Sequence, residues 1–245
     1  MTETIRLAKR VAELVPCSRR DAELTIENGA VKVDGVVIEE PGYRIAADQL
    51  VEVVPGATAE PSEPVTILFH KPAGIDTGSL AIPDMAAILP LLTAQTRMAG
   101  ERSGIRLLKR HFSAVKMTDA LETNASGLVV LTEDWRTVRK LVADRERIEQ
   151  EFLVEVSGQL APDGLALLNH GLRFSGKPLP SAKVSWQNET RLRFALKAPA
   201  RGQIEHMCQA VGLSVVSMRR LRIGRMSLAT LPPGQWRYLL KYEQF

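Results

Sequence analysis

Ser18-Arg-Arg-Asp-Ala-Glu-Leu-Thr-Ile-Glu-Asn-Gly29-Ala-Val-Lys-Val-Asp-Gly35-Val-Val-Ile38 holds a helix, its stop and a hairpin in one short run. Ser18 is an N-cap for a helix over Arg19 to Glu27, because its hydroxyl satisfies a backbone N–H that the first turn leaves without a partner. Asn28-Gly29 supplies the left-handed backbone that ends such a helix. Val31-Lys-Val and Val36-Val-Ile38 then read as two strands around an Asp34-Gly35 hairpin turn. Upstream, Ile5, Leu7, Ala8, Val11, Ala12 and Leu14 fall at helical spacing until Pro16. Downstream, Gln49 to Val54 reads as a closing strand. The order is helix, helix, hairpin, strand.

Pro55-Gly-Ala-Thr-Ala-Glu-Pro-Ser-Glu-Pro64 has small residues and prolines without apolar periodicity. It divides the chain into a module over 1–57, a linker over 58–64 and a body over 65–245, sizes that suit two domains. Hydrophobic residues make up 45% of the 245, enough to bury a core, and the net charge of +4 leans only mildly toward polyanions. Cys17 and Cys208 suggest no disulfide framework, and no Cys/His spacing fits a metal site. With no signal peptide and no apolar run long enough to cross a bilayer, the expectation is a soluble cytoplasmic protein.

The body opens on Val65-Thr-Ile-Leu-Phe69, a buried-looking strand that leaves through His70-Lys-Pro-Ala-Gly74. A strand over Ser126 to Thr132, a helix from Trp135 to Ala143 and a strand over Glu151 to Val156 follow. Further strands are expected at 182–186 and 191–196, a helix at 204–211, and strands at 213–217 and 222–228. Many strands with few helices give an α+β fold with a central mixed or antiparallel sheet.

The module, with Ser18-Arg-Arg-Asp-Ala-Glu23 opening its second helix and Gly29-Ala-Val-Lys-Val-Asp-Gly35 after it, resembles the S4 RNA-binding domain over residues 5–54. The resemblance implies a face that grips structured RNA. Lys9, Arg10, Arg19, Arg20 and Lys32 are its candidate phosphate contacts, since ammonium and guanidinium groups pair with phosphate oxygens. Residues 1–57 carry seven Lys/Arg against ten Asp/Glu, so any basic face is local.

The body's landmarks resemble the ribosomal-RNA pseudouridine synthases that carry an S4 domain. They are His70-Lys-Pro-Ala-Gly74, Leu121-Glu-Thr-Asn-Ala-Ser-Gly-Leu-Val-Val-Leu-Thr132, Glu151-Phe-Leu-Val-Glu-Val156, Gly202-Gln-Ile-Glu-His-Met207, Arg219-Arg-Leu-Arg-Ile-Gly224 and Leu231-Pro-Pro-Gly-Gln-Trp236. The resemblance implies isomerisation of a uridine without metal or organic cofactor. Its essential group is an aspartate in Gly-Arg-Leu-Asp, five residues before a Gly-Leu pair, suited to act as nucleophile or base. The chain departs from this pattern. Aligning on Gly127-Leu128 places Glu122 at the aspartate and Ala120 at its arginine. The extra methylene moves the carboxylate by roughly an ångström, a displacement that can cost about a hundredfold in rate. Phe152 stands at the family's tyrosine, and Glu205 stands where the resemblance implies a cation paired with the aspartate. The expectation is a divergent member with altered catalytic positions.

Asp119, three residues before Glu122, reads as a loop carboxylate, and His70 and His206 as satisfied structural histidines. Arg97 to Lys116 carries Arg97, Arg102, Arg106, Lys109, Arg110 and Lys116 against Glu101 alone. Arg219, Arg220, Arg222 and Arg225 form a second cluster, and strand alternation puts Arg220 and Arg222 on one face as a phosphate track. Lys71, Arg106, Lys109, Arg110, Arg219, Arg220 and Arg222 join the S4 residues as expected RNA contacts. Three functions follow: an RNA-binding protein, with ribosomal RNA or an assembly intermediate as partner and isomerisation impaired; an active synthase using Glu122; or a protein–protein adaptor. A monomer is expected.

Overall fold

In the computed structural model, residues 4–79 and 82–245 are described, and they form two compact units. The first runs to Pro64 and takes in Arg106–Ala114; the second comprises Val65–Ile105 and Val115–Phe245. The excursion over 106–114 corrects the contiguous body read from the sequence.

In the first unit, β1 (Thr4–Arg6) leads into α1 (Leu7–Leu14), and α2 (Arg19–Glu27) follows. Ser18 and Asp21 form a capping box: Ser18 Oγ accepts from the Asp21 N–H at 3.1 Å, and Asp21 Oδ2 accepts from the Ser18 N–H at 3.2 Å. β2 (Val31–Val33), β3 (Val36–Val37) and β5 (Val51–Val53) form a sheet in the order β3-β2-β5. Asp34 and Gly35 both have positive φ, 50° and 80°, as a two-residue hairpin turn of this hand requires. β4 (Arg44–Ala46) pairs with β1, a ribbon that no sequence pattern announced. Leu7, Ala8, Val11, Ala22, Ile26, Val31, Val33 and Ile45 make the core, each worth up to about 1.5–3 kcal/mol if a large aliphatic. The excursion contributes α3 (Arg110–Ala114), whose approach seats Leu108 against Gly29.

The second unit is built on nine strands. They are β6 (Thr66–Lys71), β7 (Lys116–Met117), β8 (Ala125–Thr132), β9 (Glu149–Gly158), β12 (Lys183–Trp186), β13 (Arg191–Lys197), β14 (Leu213–Ile223), β15 (Met226–Ser227) and β16 (Trp236–Tyr238). The sheet order is β12-β13-β9-β14-β8-β6-β16, with β15 on β14 and β7 on β8. The β14–β8 pair is parallel and its other ladders are antiparallel, so the α+β class with a mixed sheet holds. A small hairpin of β10 (Arg173–Phe174) and β11 (Lys177–Pro178) stands apart. The helices are α4 (Trp135–Val138), continued by a wider turn over Arg139–Ala143, then α5 (Gly164–Asn169) and α6 (Gln203–Ala210). Two strands expected at 213–217 and 222–228 are mostly one, β14, kept continuous by irregularities at Val215/Ser217 and Arg220/Arg222. Leu68, Leu128, Val130, Ile223, Leu228 and Leu231 are among the buried residues packed on one side of the sheet.

Candidate active site

Gly127 decides what stands at the centre of the second unit. A Cβ there would lie 2.3 Å from the backbone oxygen of Arg220 and 2.5 Å from its nitrogen, and φ is +123°. Only glycine lets β8 run this close beside β14, in the parallel register Arg220↔Gly127. The Arg220 side chain then points into the interior and is 1% exposed. Its Nε donates to Leu128 O at 2.7 Å, and its Nη1 donates to Asp119 Oδ2 at 2.9 Å and Gln150 Oε1 at 3.2 Å. Gln150 Nε2 donates to the same Asp119 oxygen at 2.8 Å. Burial lowers the Arg220 pKa, and the charge and hydrogen bond of Asp119 oppose that shift.

The loop bearing Asp119 and Glu122 is pinned at Leu121. Thr77 Oγ1 donates to Leu121 O at 2.7 Å and accepts from Leu121 N at 3.0 Å, both bonds buried. Glu122 turns the other way from Asp119: its Oε1 accepts from the Gly202 N–H at 2.8 Å, at the start of α6. Asp119, Glu122, Gln150, Phe152, Ile204, Met218 and Arg220 border one cavity of about 30 Å³. Pockets that enclose a small ligand hold roughly 300–1,000 Å³. A base entering here requires the walls to part. Arg201, at the rim, donates to Gly78 O and to Thr123 Oγ1, the latter at 3.1 Å.

The expected catalytic positions are only partly brought together. Glu122 and Phe152 share the cavity, and Phe152 is 3% exposed. Glu205 lies on the exposed side of α6, where Gln209 Nε2 donates to it at 3.4 Å, and it borders with Glu122 a separate open cleft. The cation of the cavity comes instead from β14, as Arg220, and its partner is Asp119. Both were read differently from the sequence: Arg220 as a phosphate contact and Asp119 as a plain loop carboxylate. The phosphate track fails because the irregularity between Arg220 and Arg222 breaks the alternation on which it rested. Arg222 instead binds Glu149 at 2.6 Å and Glu151 at 3.2 Å. Lys71 is also withdrawn from RNA: it is fully buried, and its Nζ donates to Pro72 O, Ile75 O and Thr123 O at 3.0, 2.9 and 3.2 Å. Burial, then the Arg220 charge, pulls its pKa down to about 8.

The remaining expected RNA contacts, except Arg219 on β14 of the second unit, collect in the first unit. Lys9, Arg19, Arg20 and Lys32 are exposed there, with Arg10 half-buried. The excursion adds Arg106, whose guanidinium lies over Gly29, with exposed Lys109 and half-buried Arg110. Lys109 is tied to acids: its N–H donates to Glu39 at 2.7 Å and its Nζ lies 3.5 Å from Glu40. Among the described residues, no helix is long and apolar enough to cross a membrane.

Residues 5–51 match the S4 domain model. An uncharacterized RNA pseudouridine synthase of Aquifex aeolicus is 26% identical over 98% of this chain and 94% of its own length. The ribosomal large subunit pseudouridine synthase B of Bacillus subtilis is 27% identical over 97% of this chain and 93% of its own. Over nearly its whole length the chain is similar to S4-domain RNA pseudouridine synthases. The dual-specificity RNA pseudouridine synthase RluF of Escherichia coli is 28% identical over 98% of this chain and 77% of that relative. A solved pseudouridylate synthase shares the fold of this chain, with a TM-score of 0.59, 21% identity, and 97% and 96% of the two chains covered.

Proposed function

We propose that this chain binds structured RNA, ribosomal RNA by preference, through its S4 unit, and that its isomerisation of uridine is impaired. One observation carries the reading of the chemistry: the buried guanidinium of the cavity, Arg220, is committed to Asp119 at 2.9 Å, while Glu122 at the family's aspartate position rests on a backbone N–H. A carboxylate that must attack or take a proton beside a ribose is tuned by a cation at its side. Glu122 has no such cation bonded to it among the described residues, and Phe152 brings no hydroxyl. The S4 match and the RNA pseudouridine synthases among the relatives support RNA as the ligand. A monomer in the cytoplasm is the setting that goes with this reading.

An active synthase is the second reading, favoured by one feature. Asp119 and Glu122 both border the cavity, so a carboxylate is available on either side of a base that entered it. The assay is pseudouridine formation on ribosomal RNA transcripts by the wild type, Glu122→Gln and Asp119→Asn, scored by mass spectrometry beside RNA binding. Binding without pseudouridine in all three is the expected result. Pseudouridine made by the wild type and lost in one variant replaces the first reading with the second and names the carboxylate.

A further inference from the structure

Strand alternation gives the sheet a second working face. β9 turns Gln150 and Phe152 toward the cavity and Glu151 away; β14 turns Arg220 toward it and Arg219 away. On that reverse face lies a cleft of about 490 Å³, bordered by His70, Glu151, Arg193, Arg219, Arg222 and the 227–233 loop. Three arginines against one carboxylate leave it positive. Arg193 and Arg222 are held by Glu151, at 2.6 and 3.2 Å. Arg219 is exposed and forms no ion pair among the described residues.

His70 supplies the second group. It is 3% exposed, and its Nδ1 donates to Leu231 O at 2.7 Å. A carbonyl only accepts, so that bond fixes the proton on Nδ1 and leaves Nε2 as a lone pair. No donor meets Nε2 among the described residues. A buried acceptor left without a donor is destabilising, so a hydroxyl donor is favoured at this point. Burial, opposed by the Leu231 hydrogen bond and aided by a smaller contribution from the Arg219 charge, holds the imidazole below its usual pKa. Arg219 thus acts on His70 across the same cleft. It offers a cation for a phosphodiester beside an acceptor that a hydroxyl reaches once the lining closed over Nε2 gives way.

We propose that the reverse-face cleft takes one ribose–phosphate unit of RNA, its phosphate on Arg219 and its 2′-hydroxyl donating to His70 Nε2. This rests on the reading that the chain binds RNA. The ligand is distinguished from DNA by the hydroxyl, the group by which proteins tell the two apart. It is also a contact remote from the altered cavity, so it survives whatever has happened to the chemistry there.

The test uses the full chain, a stem-loop RNA and the DNA of the same sequence. Binding is measured over a salt series for the wild type, Arg219→Gln and Arg19→Gln/Arg20→Gln; imidazole 15N signals are followed in the wild type. Arg219→Gln is expected to weaken RNA binding several-fold and lower the slope of log K against log salt by about 1. The His70 Nε2 signal is expected to move with RNA and stay with DNA. RNA binding that Arg219→Gln leaves unchanged, or a His70 signal indifferent to RNA, overturns the cleft while leaving RNA binding intact. Equal His70 responses to RNA, DNA and inorganic phosphate reduce the cleft to an anion site and overturn the ribose assignment. Absence of RNA binding by the wild type overturns both readings.

Discussion

Asp119 and Arg220 are 101 residues apart in the chain and 2.9 Å apart in the fold. Their pair joins the loop before β8 to the middle of β14, and Gln150 on β9 closes the triangle by bonding both. Glu122 borders the same space but bonds to the Gly202 N–H and not to this arginine.

Removing one member of this pair leaves a buried charge without its partner, which costs about 3–5 kcal/mol, whereas replacing both with apolar residues costs far less. Asp119→Leu is therefore expected to be much less stable in urea than Asp119→Leu/Arg220→Leu. A single variant as stable as the wild type rules out a structural pair.

Gly127→Ala drives a methyl into the Arg220 backbone and strains a left-handed φ. A loss of ~3 kcal/mol or more is expected, by the overpacking and strain that account for the largest single-site effects. Denaturant unfolding of the variant checks it, and a loss under ~1 kcal/mol shows that β8 and β14 separate easily.

Lys71 gives a pH signature. Its folded pKa is depressed to about 8 from a usual 10.5, so between those values the unfolded chain holds a proton that the folded one has released. Stability from this group accordingly rises with pH across that window, by up to about 1.4 kcal/mol per pH unit. The stability difference between wild type and Lys71→Met should shift in the wild type's favour from pH 8 to 10. A flat difference means the amine titrates at its ordinary value.

The two thiols should differ in reactivity. Burial, reinforced by the charge of Glu205, pushes the Cys208 thiol up to about 12, and Cys17 is half-exposed. At pH 8 a thiol-reactive dye is expected to label Cys17 alone in the folded protein and both in denaturant. Rapid labelling of two thiols without denaturant contradicts the burial of Cys208.

The sequence is most legible where the forces are local. Ser18 marks the start of α2, and Asp34-Gly35 marks the hairpin, because a cap and a turn need only neighbours in the chain. The three-residue β1 and β4 escaped notice, since so short a strand shows no period. In the body, Glu122, aligned on the Gly127-Leu128 anchor, and Phe152, aligned on its own strand motif, border one cavity. Arg220 is misread because alternation assumes a regular strand, and the irregularity beside it is set by packing on β9. Asp119 is misread because its partner is brought to it only by the parallel ladder that Gly127 permits. Nothing in the sequence around Arg106 to Ala114 marks it as part of the first unit.

That last feature bears on synthesis. The first unit is not finished when its linker leaves the ribosome: Leu108 and the turn of α3 have still to be made, after the whole of β6. A fragment ending at Pro64 therefore lacks a piece of its own packing, and the nascent unit must wait about forty to fifty residues for it, some seconds at 5–20 residues per second. The order in which the ribosome delivers the parts, and not the order of the two units, sets when the S4 unit is complete.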